Sequence, residues 1–423
     1  MKGRKRILIL LPILLLVLAA VFLCLSIPGK EPIILSYWTH EDDSREALEL
    51  RLISEFESMN PGIKIERRVY TSSELFSIVP AAFEVGAGAD IFSIVQTSLD
   101  PMIQKGYLAE YPGGKASIES KYISGVLDGA MYEGRLYGLP MEYTNWALYL
   151  NLDVVEKAGI DISNEDLSTW EGIRSLSEKL VEREDDILIR RGFDFRYPYY
   201  LNFFIPMVNQ LGGSIGEEDG YVSIENEKAW EEVFDFFREW GPLGDNLGSP
   251  TYINARTVFP KGECAMMLSG LYHEKRLEND YPEFYESGKW KVLPFPVFEN
   301  SISPNASAKY CHYWCVNDSI GEHKKAAAWK FLEFLSDHAG DYIDEVRLLL
   351  PRKEVIEKLD VSSIPYLDVF LSDLERSDFI YAGPESEEIR YLLEESIKNV
   401  MLGGESSAVA VERLRIAFSN LSL

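Results

Sequence analysis

Apolar runs of two different periods alternate over residues 33–95, and that alternation constrains the fold more than any other feature of the sequence. Ile33 to Tyr37 is short and rich in branched residues, as a buried strand is. From Asp42 to Met59, Leu48, Leu52, Ile53 and Phe56 fall on one face of a helix, which Asn60-Pro61-Gly62 stops. Ile63 to Tyr70 alternates apolar and polar side chains, the pattern of a strand. Glu74 to Val85 is helical up to Gly86-Ala87-Gly88, and Ile91 to Val95 is another apolar strand. The order β-α-β-α-β predicts an α/β fold with a mostly parallel sheet covered on both faces.

The pattern continues with changed spacing. Tyr132 to Pro140 reads as a tight turn between short strands, and Trp146 to Leu150 as a further strand. Thr169–Val181, Trp230–Trp240, His323–Ser336 and Glu387–Leu402 read as helices, the last capped by Gly403-Gly404. Lys261-Gly262-Glu263 turns the chain into the apolar strand Cys264–Leu268. A length of 423 residues suits two or three domains, and no internal repeat or long linker interrupts them.

The N-terminus carries a different signal. Lys2, Arg4, Lys5 and Arg6 precede the continuous apolar run Ile7–Leu23, the arrangement of an export signal. Two readings stand: lipidation at Cys24, against which Leu23 argues because a small residue usually precedes the lipidated Cys, or a retained helix with Met1 in the cytoplasm. Both place the rest of the chain outside the cytoplasmic membrane and attach it through residues 1–30 alone. The net charge of -26 repels phosphate backbones, so nucleic acid is not an expected partner. Cys264, Cys311 and Cys315 form no complete disulfide framework; Cys311 and Cys315 read as buried thiols or as a 311–315 bridge. His40, His273, His312, His323 and His338 show no ligand pair at helical spacing, so neither a metal nor a cofactor is expected. Nucleophile-elbow, zinc-protease, phosphate-loop and calcium-loop motifs are absent, which argues against an enzyme.

Several segments carry a resemblance in the same order along the chain. They are Ser36-Tyr37-Trp38-Thr39, Gly88-Ala89-Asp90-Ile91-Phe92, Gly134-Arg135-Leu136-Tyr137-Gly138-Leu139-Pro140 and Ala147-Leu148-Tyr149-Leu150-Asn151. Phe259-Pro260-Lys261-Gly262-Glu263-Cys264-Ala265-Met266-Met267 and Leu293-Pro294-Phe295-Pro296 follow. Together they resemble extracellular solute-binding protein family 1, the maltose-binding-like receptors of ABC importers. The resemblance implies a two-lobed, type II periplasmic-binding-protein-like fold that the chain crosses three times, near Glu142–Trp146, Leu293–Pro296 and Phe334–Gly340. Residues 31–142 with 294–335 would form the N-terminal lobe, and 146–292 with 340–423 the C-terminal lobe. It also implies a saccharide in the cleft, ABC permease subunits as partners, and closure by a hinge. A membrane-tethered sensor or adhesion domain and, further off, a glycan-processing enzyme are the alternatives.

Ligands of open α/β sheets lie at the carboxyl ends of strands. Trp38, Thr39 and Glu41 follow the first strand, and Gln96 follows the third. Tyr143 and Asn145 stand at the first crossing, and Arg352 follows Leu350-Pro351. The resemblance adds Tyr199 and Tyr200 from the second lobe and Tyr272 where the family commonly has Trp; the Tyr310–Trp314 segment departs from the family, which often has glycines there, and Trp314 is a further candidate for the cleft. Each has an ordinary structural alternative: core packing for Trp38, Tyr199, Tyr200 and Trp314, helix N-terminal charge for Glu41, a surface role for Arg352.

Overall fold

The computed structural model describes residues 31–185 and 187–422, so the leader and Cys24 lie outside the described residues. Strand β1 (Ile33–His40), helix α1 (Asp43–Met59), β2 (Ile63–Tyr70), α2 (Ser72–Glu84) and β3 (Ile91–Val95) open the first lobe. Asp42 caps α1 by accepting from the Arg45 amide, and Thr71 with Glu74 forms a capping box on α2. Helix α3 (Leu99–Gln104), a small hairpin β4 (Met131–Tyr132) and β5 (Arg135–Leu136), and β6 (Leu139–Thr144) follow.

Two residues later the chain is in the second lobe. Its elements are β7 (Ala147–Asn151), α4 (Leu152–Lys157), α5 (Trp170–Leu180), β8 (Glu182–Glu184), β9 (Ile187–Asp194), α6 (Tyr200–Gln210), the hairpin β10 (Ser214–Glu218) and β11 (Tyr221–Glu225), and α7 (Glu227–Trp240). They continue with α8 (Ala255–Val258), β12 (Cys264–Ser269), α9 (Tyr272–Asp280), α10 (Pro282–Glu286) and β13 (Trp290–Leu293). Strand β14 (Tyr310–Val316), α11 (Glu322–Asp337) and α12 (Ala339–Val346) return to the first lobe. Helix α13 (Lys353–Lys358) stays there, and α14 (Leu367–Glu375), α15 (Ser386–Gly403) and α16 (Ser407–Phe418) complete the second.

Each lobe is built on one five-stranded sheet, ordered β2-β1-β3-β14-β6 in the first and β13-β7-β12-β9-β8 in the second. In the first, β1 is parallel to β2 and β3, while β14 runs antiparallel to β3 and β6. The carboxyl ends of β1, β3 and β6 and the start of β14 therefore share one edge. In the second, β12 is parallel to β9 and antiparallel to β7, and β13 and β8 also pair antiparallel, with β7 and β9, so both sheets are mixed and not the mostly parallel sheet expected from the strand–helix alternation. The carboxyl ends of β9 and β12 therefore lie beside the start of β7. Since β6 and β7 are joined by Asn145 and Trp146 alone, these two edges face each other.

Two of the three passages between lobes lie later than the sequence suggests. Phe295, Phe298, Ala306 and Ala308 remain in the second core, and Gln210 donates to the carbonyls of Pro296 and Asn305, so the second passage is at the start of β14. Helix α12 packs on α1 through an apolar face of Tyr342, Ile343 and Val346. Leu349 then accepts from the Tyr143 amide. The third passage thus falls between Lys358 and Leu367 and not at Phe334–Gly340. Cys311 and Cys315 sit four residues apart on β14, buried and unbridged. At about 3.3 Å per residue that separation exceeds the reach of a disulfide. Among the described residues no helix is long and apolar enough to cross a membrane.

Candidate functional site

A string of rings crosses the seam between the two sheet edges. His40, at the end of β1, lies 5.1 Å from His312, and His312 lies 5.8 Å from Tyr310 on β14. Tyr310 meets Trp146 at 6.4 Å and accepts from its indole N–H at 3.2 Å. Trp146 stands edge-on to Tyr199 at 5.8 Å. Arg196, two residues past β9, lies over both rings at 4.6 and 4.8 Å and donates to the Tyr272 hydroxyl. The order runs from first lobe through connector to second lobe. On either side the lobes touch: Thr97 donates to Glu387 at 3.3 Å, and Asn279 to Ser44 at 2.8 Å.

Strand register explains the first-lobe half. His312 pairs with Glu142 across β14 and β6, so both project from one face at the seam edge. Behind them Arg45 is buried, donating to the Thr39 hydroxyl at 3.1 Å and lying 3.4 Å from His40 Nε2. Burial, with Arg45 second, holds the His312 imidazole down to about 3, and burial with Arg45 keeps His40 well below its ordinary value. Both rings are therefore neutral hydrogen-bonding groups at pH 7. Burial pushes the Glu142 carboxyl up to about 7, with Arg45 opposing.

Ligand atoms of His40, Glu142 and His312 lie within 4.8 Å of one another, a juxtaposition that helical spacing in the sequence does not reveal. The Arg45 guanidinium beside them opposes a divalent cation. Its charge is not cancelled locally, because Glu49 is shared between Arg45 at 3.4 Å and Arg67 at 2.7 Å. The cluster is better suited to polar neutral groups, with acceptor and donor edges close together.

The sequence candidates divide. Tyr199 and Tyr272 belong to the string, and Asn145 sits in the connector, donating to the Phe370 carbonyl at 3.3 Å with its own oxygen unpartnered. Gln96 is buried at the end of β3 with an unpartnered carbonyl oxygen. It rests on Gly129, where an added Cβ would come within 2.7 Å of the Gln96 amide nitrogen, so only glycine allows that approach. Tyr143 lies beside the connector with its ring 6.2 Å from Phe379, Trp38 packs edge-on against Tyr70, and Glu41 is exposed.

Four candidates are occupied elsewhere. The Thr39 hydroxyl accepts from Arg45 and from Ser93 inside the first lobe. Tyr200 is wholly buried against Tyr197 and Phe203, because α6 turns it into the aromatic core. Trp314 lies two residues deeper along β14 than His312, and its indole donates to Tyr37 at 2.9 Å beneath α12. Arg352 is held by Ser336 and Asp337 over the Tyr122 ring. Arg196, Trp146 and Tyr310 stand in the string of rings although none is among the candidates drawn from the sequence. Arg196 directly precedes the Tyr197-Pro198-Tyr199 run already singled out, which was the available signal.

The sequence profile of the family described as bacterial extracellular solute-binding protein matches residues 51–342. The chain belongs to this family. A Brucella abortus protein named as a binding protein is 24% identical over 373 residues, covering 84% of this chain and 85% of its own. The arabinooligosaccharide-binding protein of Halalkalibacterium halodurans is 22% identical over 273 residues, 63% of this chain and 59% of that one. Among solved structures, the GacH receptor of Streptomyces glaucescens, determined unliganded and with acarbose, superposes with a TM-score of 0.79 at 17% identity, covering 92% of this solute-binding protein and 98% of the receptor. The fold is thus the two-lobed α/β fold of such receptors, and the family is extracellular.

Proposed function

We propose that this solute-binding protein takes up a sugar or oligosaccharide between its lobes and presents it to the permease of an ABC importer. The observation that carries the reading is the string from His40 to Tyr272, because it mixes what a saccharide needs. The rings of Tyr199 and Tyr310 suit the apolar faces of pyranose rings, with Trp146 packed behind them, and Glu142, His40, His312 and Gln96 suit hydroxyls. Buried polar groups in such a site reject a guest that leaves them unpaired. The names of the relatives, an arabinooligosaccharide-binding protein and a receptor seen with acarbose, support the same class.

Closure follows from contacts that only the closed form makes between ligand and both lobes. The leader holds the lobes at the membrane surface in this reading. In this reading the seam binds and does not react: glycoside hydrolysis needs two carboxyls flanking the bond, and among the described residues the His40–Glu142–His312 cluster holds one. A thermal-shift screen over neutral and acidic saccharides tests the proposal, since a ligand of the folded state raises Tm. Trp146 fluorescence should change with the same ligands. A panel that moves neither quantity overturns the saccharide reading, and release of shortened glycans would return the enzyme alternative.

A further inference from the structure

The second lobe bears two arginines at the cleft edge that lack what the other buried arginines have. Arg45 and Arg67 share Glu49, Arg191 pairs with Asp194, and Arg347 pairs with Glu274. Arg196 and Arg256 make no ion pair among the described residues. Arg196 is 9% exposed; tyrosines surround it, and its Nε has no partner. Arg256, on the short helix α8, also has an unpartnered Nε, and burial together with Arg196 and Arg276 brings its guanidinium down to about 10.

Tyr272 stands in the field of both. Burial would raise its phenol, yet Arg196 and Arg256 more than offset that and leave it below the ordinary value. Gly270 makes room for this ring, since a Cβ there would lie 2.5 Å from Tyr272 Cε1. A chain of net charge -26 has acids to spare, so two cations left without one are not a result of composition. Leaving two guanidiniums without an acid around one tyrosine costs free energy that an anion would recover. Planar guanidinium forks match carboxylate and phosphate oxygens, and two are better than one. Glu142 across the seam does not forbid an anion, because its carboxyl takes up a proton near neutrality.

We infer that the solute is an acidic saccharide whose anionic group is held by Arg196 and Arg256 while its rings lie along Tyr199 and Tyr310. This inference rests on the saccharide reading above. Calorimetric titration of the full chain with three probes tests it: trigalacturonate, glucose 6-phosphate and the neutral maltotriose. An acidic probe should bind at least about tenfold more tightly than maltotriose, as one charge-assisted hydrogen bond provides. Whichever acidic probe binds identifies the source of the charge, uronate or phosphate. Its affinity should fall as salt is raised, and Arg256→Gln should weaken it about 10- to 100-fold, with Arg256→Lys losing less. Salt dependence is read on the unaltered chain, so the inference remains open to refutation if R256Q folds poorly. Maltotriose binding equal to or tighter than both acidic probes overturns the charge inference and leaves the saccharide reading intact. Failure of all three probes, with tight binding of a non-saccharide anion such as citrate, overturns both.

Discussion

The two lobes share a sheet architecture and differ in how they are filled. The second is packed with rings: Phe195 lies 4.5 Å from Phe237 and 5.1 Å from Phe203, and Trp170, Phe204, Trp230 and Trp240 extend the cluster. The first holds a buried polar network behind its seam edge, where Tyr37 and Tyr342 donate to Glu49 at 3.2 and 3.5 Å and two arginines converge on it. The difference teaches where each lobe keeps its charge. The first encloses Arg45 and Arg67 with Glu49; the second encloses Arg191 with Asp194, gives most of its interior to aromatic packing and leaves Arg196 and Arg256 without an acid.

Removing the shared acid should do the most damage. Glu49→Ala leaves two buried guanidiniums unpaired and should destabilise by about 3–5 kcal/mol in urea unfolding; a change below about 1 kcal/mol would show that the network does not organise the first lobe. Phe237→Ala opens a cavity in the ring cluster and should cost a similar about 3–5 kcal/mol, independent of salt. The two sites lie in separate cores, so the double variant should show additive losses.

Acid should separate the lobes further. The folded pKa of His312 is lowered to about 3 from 6.5, so the unfolded chain binds its proton more readily. Stability from this group is present above pH 6.5 and is lost as pH falls towards 3. His312→Asn should flatten that loss in urea midpoints taken at pH 7, 6 and 5. Glu142 acts the other way, since its raised pKa of about 7 costs stability as pH climbs from 4.5 to 7. Glu142→Gln should therefore steepen the net acid sensitivity. The smallest effect belongs to the first-lobe surface: Thr71→Ala breaks the capping box of α2 and should cost about 1 kcal/mol.

The β1-α1-β2-α2-β3 part of the first lobe was legible because each of these elements has a clean period, whereas β6 and β14, which complete the sheet, were not read as strands. Helix α1 ends at Met59, where Asn60-Pro61-Gly62 stands, and β12 starts at Cys264, just after the turn at Gly262. The passages between lobes were less legible, since Phe295 and Tyr342 are apolar in either core and sequence alone does not say which one they join. The site was half legible. Strand ends pointed to Gln96 and the connector, but alternation along β14 could not tell that His312 is at the edge and Trp314 beneath a helix. Arg196 and Arg256 escaped notice because an arginine in sequence reads as surface; only burial without an acid marks it.

Asn145 and Trp146 form the short link between β6 and β7, and Trp146 also packs directly behind Tyr199 and Arg196 of the candidate site. If the lobes swing on this link as proposed, its side chains brace the groups that would grip the cargo, and a change made there to re-tailor the grip would also alter how fast the jaws part.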